Sequence, residues 1–312
     1  MPRLSHTARR SRGTADRARV LQLAARRLRR AGLHYGHGTE HPRDDAAALL
    51  GHALRLRRPL TADDLEGALS ETAAKRFAAL LERRIRERVP AVYLTGRCWF
   101  AGVRFHVDRR VLIPRSPIAE LIERRFAPWV DADGVRRIAD LGTGSGCIAL
   151  ACALAFPRAR VDAVDNDSDA LAVARINRQA LRLTRRVRLV KSDFFRQLRG
   201  QRYDMIVSNP PYVGAKEYAS LPAEYAHEPG QALYSGPDGM QAVRTLLRGA
   251  LRHLTPQGVL IVEVGNTETT VQREFPWLPF VWLSFERGGG GVFLLTARQL
   301  RAAAKFLKRS LA

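Results

Sequence analysis

The stretch "RRIADLGTGSGCIAL", Arg136 to Leu150, decides the fold of this chain. A short apolar run leads into "GTGSG", residues 142–146, and a second apolar run with helical spacing follows. Glycines let the backbone pass close to a ligand, and the start of a helix offers unpaired backbone amides. A single glycine-rich turn is a weak signal, because the same pattern serves a dinucleotide site or a plain turn.

Outward from this turn, short apolar runs alternate with helical segments from Pro114 onward. The runs are "RRIADLG", "ARVDAVD", "RVRLVKSD", "YDMIVSN", "GVLIVEVG", "FVWLSF" and "GVFLLTA". Several are apolar at consecutive positions, as parallel strands covered on both faces must be. The alternation predicts an α/β fold with a doubly wound sheet, whose ligand lies at the carboxyl ends of the strands.

Acidic residues end the second and third runs. Asp165 follows the glycine turn by about twenty residues, where a carboxylate accepts both hydroxyls of a ribose. Asp193 ends the third run and precedes Phe194. Its carboxylate suits the amino group of an adenine, and the phenyl ring suits the face of the base. Three strand ends in order therefore predict an adenosine pocket.

The fourth run ends in "NPPY", Asn209 to Tyr212, which the same topology brings to the same crevice. Adjacent prolines donate no backbone hydrogen bonds and hold φ at about −65°, so this corner is stiff. In this combination the chain resembles class I S-adenosylmethionine-dependent methyltransferases that modify planar nitrogens. An Asn-Pro-Pro-Tyr corner marks the amide- and adenine-methylating enzymes of that class.

An amide nitrogen explains the need for such a corner, because its lone pair is delocalised into the carbonyl and it is a poor nucleophile. If the Asn209 side-chain oxygen and the Pro210 carbonyl each accept one N–H of the substrate, the nitrogen is held and its electron density rises. Tyr212 can pack on the flat face of the amide. Stiff acceptors need little reorganisation in the transition state.

Further stretches are similar to the protein glutamine methyltransferases, and within them to the branch that modifies the third protein of the large ribosomal subunit. They are "YGHGTEHP" from Tyr35, "VPAVYLTGRCWFAGVRFHVDRRVLIPRSPIAELI" from Val89, "DLGTGSGCIA", "NPPYV", "LPAEYAHEPGQAL" from Leu221 and "GGGGVFLLT" from Gly288. The sister branch that methylates release factors typically carries Pro-Asp-Thr-Glu where this chain has "SPIA", residues 116–119. The difference favours the ribosomal-protein branch, which makes N(5)-methylglutamine.

The resemblance implies S-adenosylmethionine as the methyl donor and assigns a role to each motif. The residues implied to bind the donor are Asp140, Leu141, Gly142, Thr143, Gly144, Asp165, Asp193, Phe194 and Asn209. Those implied to bind the acceptor amide are Asn209, Pro210, Pro211 and Tyr212, of which Asn209, Pro210 and Tyr212 are implied to be catalytic. The implied partner is the ribosomal protein itself or an assembly intermediate that contains it.

The segment from Arg17 to Val89 has three apolar patterns at helical spacing, which predict a small bundle with Asp44 and Thr61 as helix starts. The predicted domains are a basic arm over 1–16, a helical substrate-recognition domain over 17–95, a hairpin linker over 96–113 and the methyltransferase domain over 114–312. Turns of the hairpin region are expected at Gly102 and at Asp108-Arg109. The resemblance implies a seven-stranded, mainly parallel sheet whose last strand is antiparallel.

The charge of the chain is strongly positive, with 52 Lys and Arg against 30 Asp and Glu, a net charge of +22 and a pI of about 11.2. Such a field attracts polyanions, so the Arg-rich termini are expected to contact rRNA without reading bases, unless they are merely solvated helix faces. Glutamine methylation of release factors is the first alternative. An adenine methyltransferase acting on nucleic acid is the second, but the helical bundle is short for target recognition and base extrusion. A ribosome-assembly binding factor with a vestigial pocket is a further alternative.

Several classes of protein do not fit this sequence. No apolar run reaches the roughly 18 to 20 residues of a membrane span, and the N-terminus has no apolar signal-peptide centre, so a cytoplasmic protein is expected. Three cysteines without a C-x-x-C pair suggest neither disulfides nor zinc. His34, His37 and His41 lie in a glycine-containing turn without supporting ligands, so no metal is expected.

Overall fold

The computed structural model describes residues 16–310, which form two compact units, one ending at Thr95 and the other starting at Gly96. The basic arm predicted over residues 1–16 lies outside the described residues except for Asp16. The last two residues of the basic C-terminal stretch, 311 and 312, lie outside them as well.

The first unit contains the three predicted helices and one short helix. They are α1 (Arg17–Arg30), α2 (Pro42–Ala53), α3 (Glu71–Arg86) and α4 (Ala91–Thr95). Their apolar faces meet in one core, because leucines recur at helical spacing along α1 and α2. The largest buried members of this core are Leu21, Leu28, Leu49, Leu50, Phe77 and Leu81.

Both predicted helix starts are wrong. Helix α2 begins at Pro42, since proline suits the first helical position, and the Asp44 side chain reaches back to accept from the His41 backbone N–H at 3.0 Å. Thr61 opens only a three-residue 3-10 helix, Asp63–Leu65. Helix α3 begins ten residues later, where the Ser70 hydroxyl accepts from the Ala73 N–H.

The second unit opens with the expected hairpin. Strands β1 (Arg97–Phe100) and β2 (Val103–His106) pair antiparallel, with Arg97 opposite His106. The turn residues Ala101 and Gly102 both have positive φ, 46° and 72°, which matches the right-handed twist of the two strands.

All seven predicted runs form strands of one sheet. They are β3 (Arg137–Leu141), β4 (Arg160–Asp165), β5 (Val187–Lys191), β6 (Tyr203–Ser208), β7 (Leu254–Glu263), β8 (Val281–Leu283) and β9 (Val292–Thr296). The strand order is β5-β4-β3-β6-β7-β9-β8, and β9 runs antiparallel to both of its neighbours. This confirms the class I methyltransferase fold, a doubly wound sheet with an antiparallel last strand.

Eight helices of the described part of the chain accompany the sheet and contribute buried residues to both of its cores. They are α5 (Ile118–Glu123), α6 (Cys147–Ala155), α7 (Ser168–Ala180), α8 (Ala215–Tyr218), α9 (Gln241–His253), α10 (Glu268–Glu274), α11 (Ala297–Ala302) and α12 (Ala304–Ser310). Successive strand residues enter opposite cores: Met205 and Val207 lie in one, and Ile206 lies in the other. The strands are therefore apolar at consecutive positions, as the sequence pattern indicates.

The order of the strands reverses beside β3, because β4 lies on one side of it and β6 on the other. Leu141 at the end of β3 pairs with Val164 and with Ser208. Asp165 at the end of β4 pairs with Lys191. The glycine turn, both acidic strand ends and the proline corner consequently meet at one edge of the sheet, where doubly wound folds bind their ligands.

Candidate active site

A cavity of about 280 Å³ lies at this edge. Predicted site residues that line it are Gly142, Gly144, Asp165, Asp193, Phe194, Asn209 and Pro211. Loop and helix residues that sequence reasoning did not single out complete the wall, among them Arg110, Gln231, Tyr234, Ser235, Gln241 and Thr245. The volume is near the lower end of the range for small-molecule sites.

The glycine turn is anchored to the neighbouring strand. The backbone N–H groups of Gly142 and Thr143 both donate to the Val164 carbonyl at 2.9 Å. Gly142 and Gly144 have φ of 76° and 54°, a region that side chains disfavour. A Cβ on Gly142 would lie 3.8 Å from the Asn209 carbonyl oxygen, so the turn passes directly beside the proline corner.

Asp140, Leu141 and Thr143 do not face the cavity. Asp140 is fully buried, and its Oδ2 accepts from the Thr143 hydroxyl at 2.5 Å and from the Ala149 N–H at 3.0 Å. Burial raises the pKa of Asp140 to about 7. The Asp140 carboxyl therefore links the glycine turn to helix α6 through these two hydrogen bonds.

Asp165 is held in place at the rim of the cavity. Its Oδ2 accepts from the Gly144 N–H at 2.8 Å, and its Oδ1 accepts from the Asp167 N–H at 3.0 Å. Each oxygen keeps a lone pair for a further donor, as two ribose hydroxyls require. Burial raises the pKa of this carboxyl.

Asp193 and Phe194 lie farther along the same wall. The Asp193 side chain is exposed, and Phe194 is half-buried with a φ of 41°. The Ser192 hydroxyl donates to the Phe194 carbonyl at 2.9 Å and so fixes this unusual backbone. The arrangement presents one carboxylate and one ring to the cavity.

The Asn209 side chain supplies the clearest sign of a missing partner. Its Oδ1 is buried, and within residues 16–310 it accepts no hydrogen bond. A buried amide oxygen left unpaired costs about 1–3 kcal/mol, so such groups call for an explanation. Because Asn209 lines the cavity, an N–H donor on a bound molecule would satisfy it.

Tyr212 points away from the cavity lining toward a buried acid. Its hydroxyl donates to Glu263 Oε1 at 3.2 Å, and the Ser116 hydroxyl donates to Glu263 Oε2 at 2.5 Å. Burial raises the pKa of Glu263 to about 7, although both hydrogen bonds oppose the shift. Burial also raises the pKa of Tyr212, and the nearby Glu263 adds to the shift. The end of strand β7 thus fixes the last residue of the corner.

Two glycines with positive φ, Gly239 and Gly265, pack against Tyr212, and a third, Gly291, packs against Gly265. A Cβ on Gly265 would lie 2.6 Å from the Tyr212 ring, and a Cβ on Gly239 would lie 2.3 Å from the Tyr212 carbonyl oxygen. A Cβ on Gly291 would lie 2.3 Å from the Gly265 carbonyl oxygen. No side chain fits at these positions, so the backbone of these glycines packs directly against the proline corner and its surroundings.

A buried ion pair joins the segment after the hairpin to the loop after the corner. Arg115 binds Glu228 through two parallel hydrogen bonds of 2.5 and 2.8 Å, and the Ile113 N–H donates to the same carboxylate at 3.0 Å. The Glu228 side chain is wholly buried. The pair raises the pKa of Arg115, against the opposing effect of burial. Arg115 also lies 5.5 Å from the centre of the Tyr225 ring.

Two family models match the chain. A PrmC N-terminal domain covers residues 19–96, and a methyltransferase small domain covers residues 125–236. The "Ribosomal protein uL3 glutamine methyltransferase" of Neisseria meningitidis serogroup B is 46% identical over 90% of this chain and 93% of its own length. Proteins of the same name from Neisseria gonorrhoeae and Burkholderia pseudomallei are each 45% identical, over 90% and 91% of this chain and 94% and 95% of their own lengths. The chain belongs to the ribosomal protein uL3 glutamine methyltransferase family.

Membership in this family confirms the enzyme class inferred from the proline corner, a protein glutamine methyltransferase that uses S-adenosylmethionine. The residues present fit that donor on two observations. The glycine turn leaves backbone space at Gly144, where a Cβ would meet nothing within 4 Å, and Asp165 presents two fixed carboxylate oxygens beside it. No group of metal-ligating side chains is found within residues 16–310.

Sequence reasoning missed the residues behind the corner: Arg115, Ser116, Glu228 and Glu263. Glu263 carried a usable signal, because it lies at the end of the apolar run "GVLIVEVG" as Asp165 lies at the end of "ARVDAVD". The sequence contains no signal that identifies the partners of Glu228 and Glu263. Ser116 is 147 positions from Glu263, and Arg115 is 113 positions from Glu228.

None of the described helices is both long enough and apolar enough to cross a membrane.

Proposed function

We propose that this chain methylates the side-chain amide nitrogen of a glutamine in ribosomal protein uL3, with S-adenosylmethionine as the methyl donor. The name shared by its relatives supports the substrate. The observation that carries the chemistry is that Asn209 lines the cavity while its Oδ1 is buried and has no hydrogen-bond partner among the described residues. A primary amide offers the N–H that this oxygen lacks.

Asn209 and Pro210 act on the acceptor. The Asn209 Oδ1 and the Pro210 carbonyl each accept one N–H of the glutamine amide, which holds its nitrogen in one orientation. Two acceptors also raise the electron density on that nitrogen, whose lone pair is otherwise delocalised. When bound, the donor would supply a methyl group already activated by a positive sulfonium, and the methylated nitrogen would release one of its two protons to water. Pro210 and Pro211 keep the acceptors stiff, so they need not reorient as the bond forms.

Residues around the glycine turn hold the donor. Gly142 and Gly144 let the backbone approach its methionine end, Asp165 accepts from the ribose hydroxyls, and Asp193 accepts from the adenine amino group. Phe194 flanks the base. The side chains of Asp140 and Thr143, with Leu141, act from within the protein by fixing the shape of the turn.

Tyr212 holds the proline corner in position through contacts outside the cavity lining. Its hydroxyl is held by Glu263 and its ring lies on the Gly265 backbone, so the peptide that precedes it has little freedom. Tyr212 acts on the amide through the position of the corner, and the Asn209 Oδ1 and the Pro210 carbonyl are the groups that contact the reacting nitrogen.

The acceptor is free uL3 or an assembly intermediate that contains it. We assign substrate recognition to the helical unit that ends at Thr95, and non-specific rRNA contact to the Arg-rich termini. Both assignments follow from the +22 charge and from the separate helical unit.

The test is a methyl-transfer assay with labelled S-adenosylmethionine and three purified acceptors: uL3, a release factor and ribosomal RNA. We expect label on uL3 that survives ribonuclease, with mass spectrometry placing one methyl group on a glutamine. Label on the release factor would assign the chain to the sister activity. Ribonuclease-sensitive label would support adenine methylation, and no transfer in a single-turnover experiment would indicate a binding factor.

A further inference from the structure

A second cavity, of about 580 Å³, lies at the other end of the same sheet. Arg137 and Arg160 are the first residues of strands β3 and β4, and Arg188 is the second residue of β5. The candidate active site lies beyond the last residues of these strands. A six-residue strand spans about 20 Å, so the length of the sheet separates the two cavities.

Arginines dominate this second cavity, which we call the arginine groove. Its basic residues are Arg137, Arg160, Arg178, Arg185, Arg186 and Arg188. The groove contains one acid, Asp162, and this carboxylate is already engaged. It accepts two hydrogen bonds of 2.8 Å from Arg188 and one of 2.7 Å from the Tyr203 hydroxyl. The groove therefore has a large excess of positive charge.

Hydrogen bonds to backbone carbonyls hold some of these arginines in position, whereas others are exposed to solvent. Arg186 donates to the Ala153 carbonyl at 2.5 Å, and Arg178 donates to the Val187 carbonyl at 3.1 Å. Each guanidinium has five N–H groups, so both keep donors for a ligand. Arg160 and Arg185 are exposed, and their side chains make no hydrogen bond or ion pair with any residue between 16 and 310.

The chemistry of the lining indicates which polyanion fits. The apolar side chains of the groove are Val161 and Val187, each with only 1% of its surface exposed. A protein partner would need an apolar or aromatic anchor at the centre of its interface, which this surface does not offer. A phosphodiester backbone needs only guanidinium groups and charge.

We propose that the arginine groove binds the phosphodiester backbone of structured RNA. The choice of RNA over other nucleic acids rests on the proposed function, because uL3 is a ribosomal protein. Binding at the amino ends of the strands leaves the cavity at their carboxyl ends open. The enzyme can then hold RNA and S-adenosylmethionine at the same time.

The test compares two double variants of the full chain. R160Q/R185Q removes the two arginines of the groove whose side chains have no partner among the described residues. R273Q/R298Q is the matched control, because it removes two exposed arginines without side-chain partners among the described residues, from helices α10 and α11. The probe is a labelled RNA duplex of arbitrary sequence, titrated by fluorescence anisotropy at several salt concentrations.

We expect R160Q/R185Q to weaken RNA binding about tenfold at low salt and to reduce the slope of log affinity against log salt by about two. The control should retain the affinity and slope of the wild type. Equal losses in both variants would overturn the proposal, since they would show that net charge alone attracts RNA. Polyglutamate that binds as tightly as the duplex, and depends equally on Arg160 and Arg185, would assign the groove to an acidic protein instead.

Two parallel measurements separate this proposal from the proposed function. S-adenosylmethionine binding by calorimetry should be the same for the wild type and both variants, which shows that they are folded. Methyl transfer to isolated uL3 should also be unchanged. Failure of the wild type to methylate uL3 would contradict the proposed function. Only the RNA titrations test RNA binding by the arginine groove.

Discussion

Asn209 shows how far a single residue can be predicted from sequence. The motif predicts its position at the edge of the sheet. In the structure Asn209 lines the cavity, and its side-chain oxygen is buried without a partner among the described residues. Its role in holding the amide stays a prediction. The residues that fix the corner could not be predicted in the same way, because Glu263 reaches Ser116 and Tyr212 only after the chain has folded.

Gly265 tests whether the position of Tyr212 matters for the reaction. In Gly265→Ala the new Cβ would meet the Tyr212 ring at 2.6 Å, in a residue whose φ is 46°. A displacement of about 1 Å at a reacting group can lower the rate about a hundredfold, so we expect kcat to fall at least tenfold. S-adenosylmethionine affinity, measured by calorimetry, should change little.

Gly290→Ala is the matched control. Gly290 has no positive φ, and a Cβ there would meet nothing within 4 Å. It should methylate uL3 at the rate of the wild type. If the two variants have similar rates, the packing of Tyr212 on Gly265 has no part in the reaction.

Glu263 makes stability depend on pH. Burial raises its pKa to about 7 from the model-compound value of 4.5, so the folded chain keeps a proton that the unfolded chain loses between these values. The free energy of unfolding should therefore fall as the pH rises from about 4.5 to about 7, by about 1.4 kcal/mol per pH unit, and then level off.

Glu263→Gln removes this titration while keeping the shape of the side chain. The variant and the wild type should have similar stability at about pH 4, where the wild-type carboxyl is protonated. At about pH 8 the variant should be more stable by on the order of 3 kcal/mol. Urea unfolding across this range measures the difference. Curves that stay parallel would show that Glu263 ionises normally in the folded protein.

The elements of the sheet were predictable because their pattern is set by local burial. Strands such as β6 are covered on both faces and must be apolar at consecutive positions, which the sequence displays directly. Helix starts were less predictable, since several capping residues compete within a few positions. Helix α2 begins at Pro42 and α3 follows the N-cap Ser70, whereas the sequence pattern favours Asp44 and Thr61 as helix starts.

Connections between loops were beyond prediction, and the Arg115–Glu228 pair is the clearest case. Glu228→Ala would leave the Arg115 guanidinium, whose side chain is 21% exposed, without its carboxylate, so we expect the free energy of unfolding to fall by up to about 3–5 kcal/mol. Urea unfolding gives this value. The double variant R115M/E228A should recover part of the loss, because no uncompensated charge remains.

Glu286→Ala provides the control for this pair. Glu286 also binds an arginine, Arg124, at 2.7 Å, but their side chains are 76% and 50% exposed. Removing an exposed pair changes stability much less than removing a buried one, because solvent screens the charges. Equal losses in Glu228→Ala and Glu286→Ala would show that burial adds nothing to the first pair.

At the scale of the whole molecule, the class of the fold and the chemistry of the site followed from four strand ends that carry a glycine turn, two acids and a proline corner. A doubly wound sheet brings such ends together whatever the intervening sequence, which explains why this part was predictable. The +22 charge predicted attraction to polyanions, but only the folded sheet shows that six of the arginines share one groove at its amino end.

Asn209 acts chiefly on the acceptor amide in the proposed reaction, and its side chain contributes little to donor affinity. The most direct test of this role is the rate of methyl transfer from saturating S-adenosylmethionine to uL3 by Asn209→Ala, together with donor affinity by calorimetry. We expect kcat to fall on the order of a hundredfold or more, with donor affinity close to that of the wild type. A rate near that of the wild type, or equal losses of rate and donor affinity, would contradict this role.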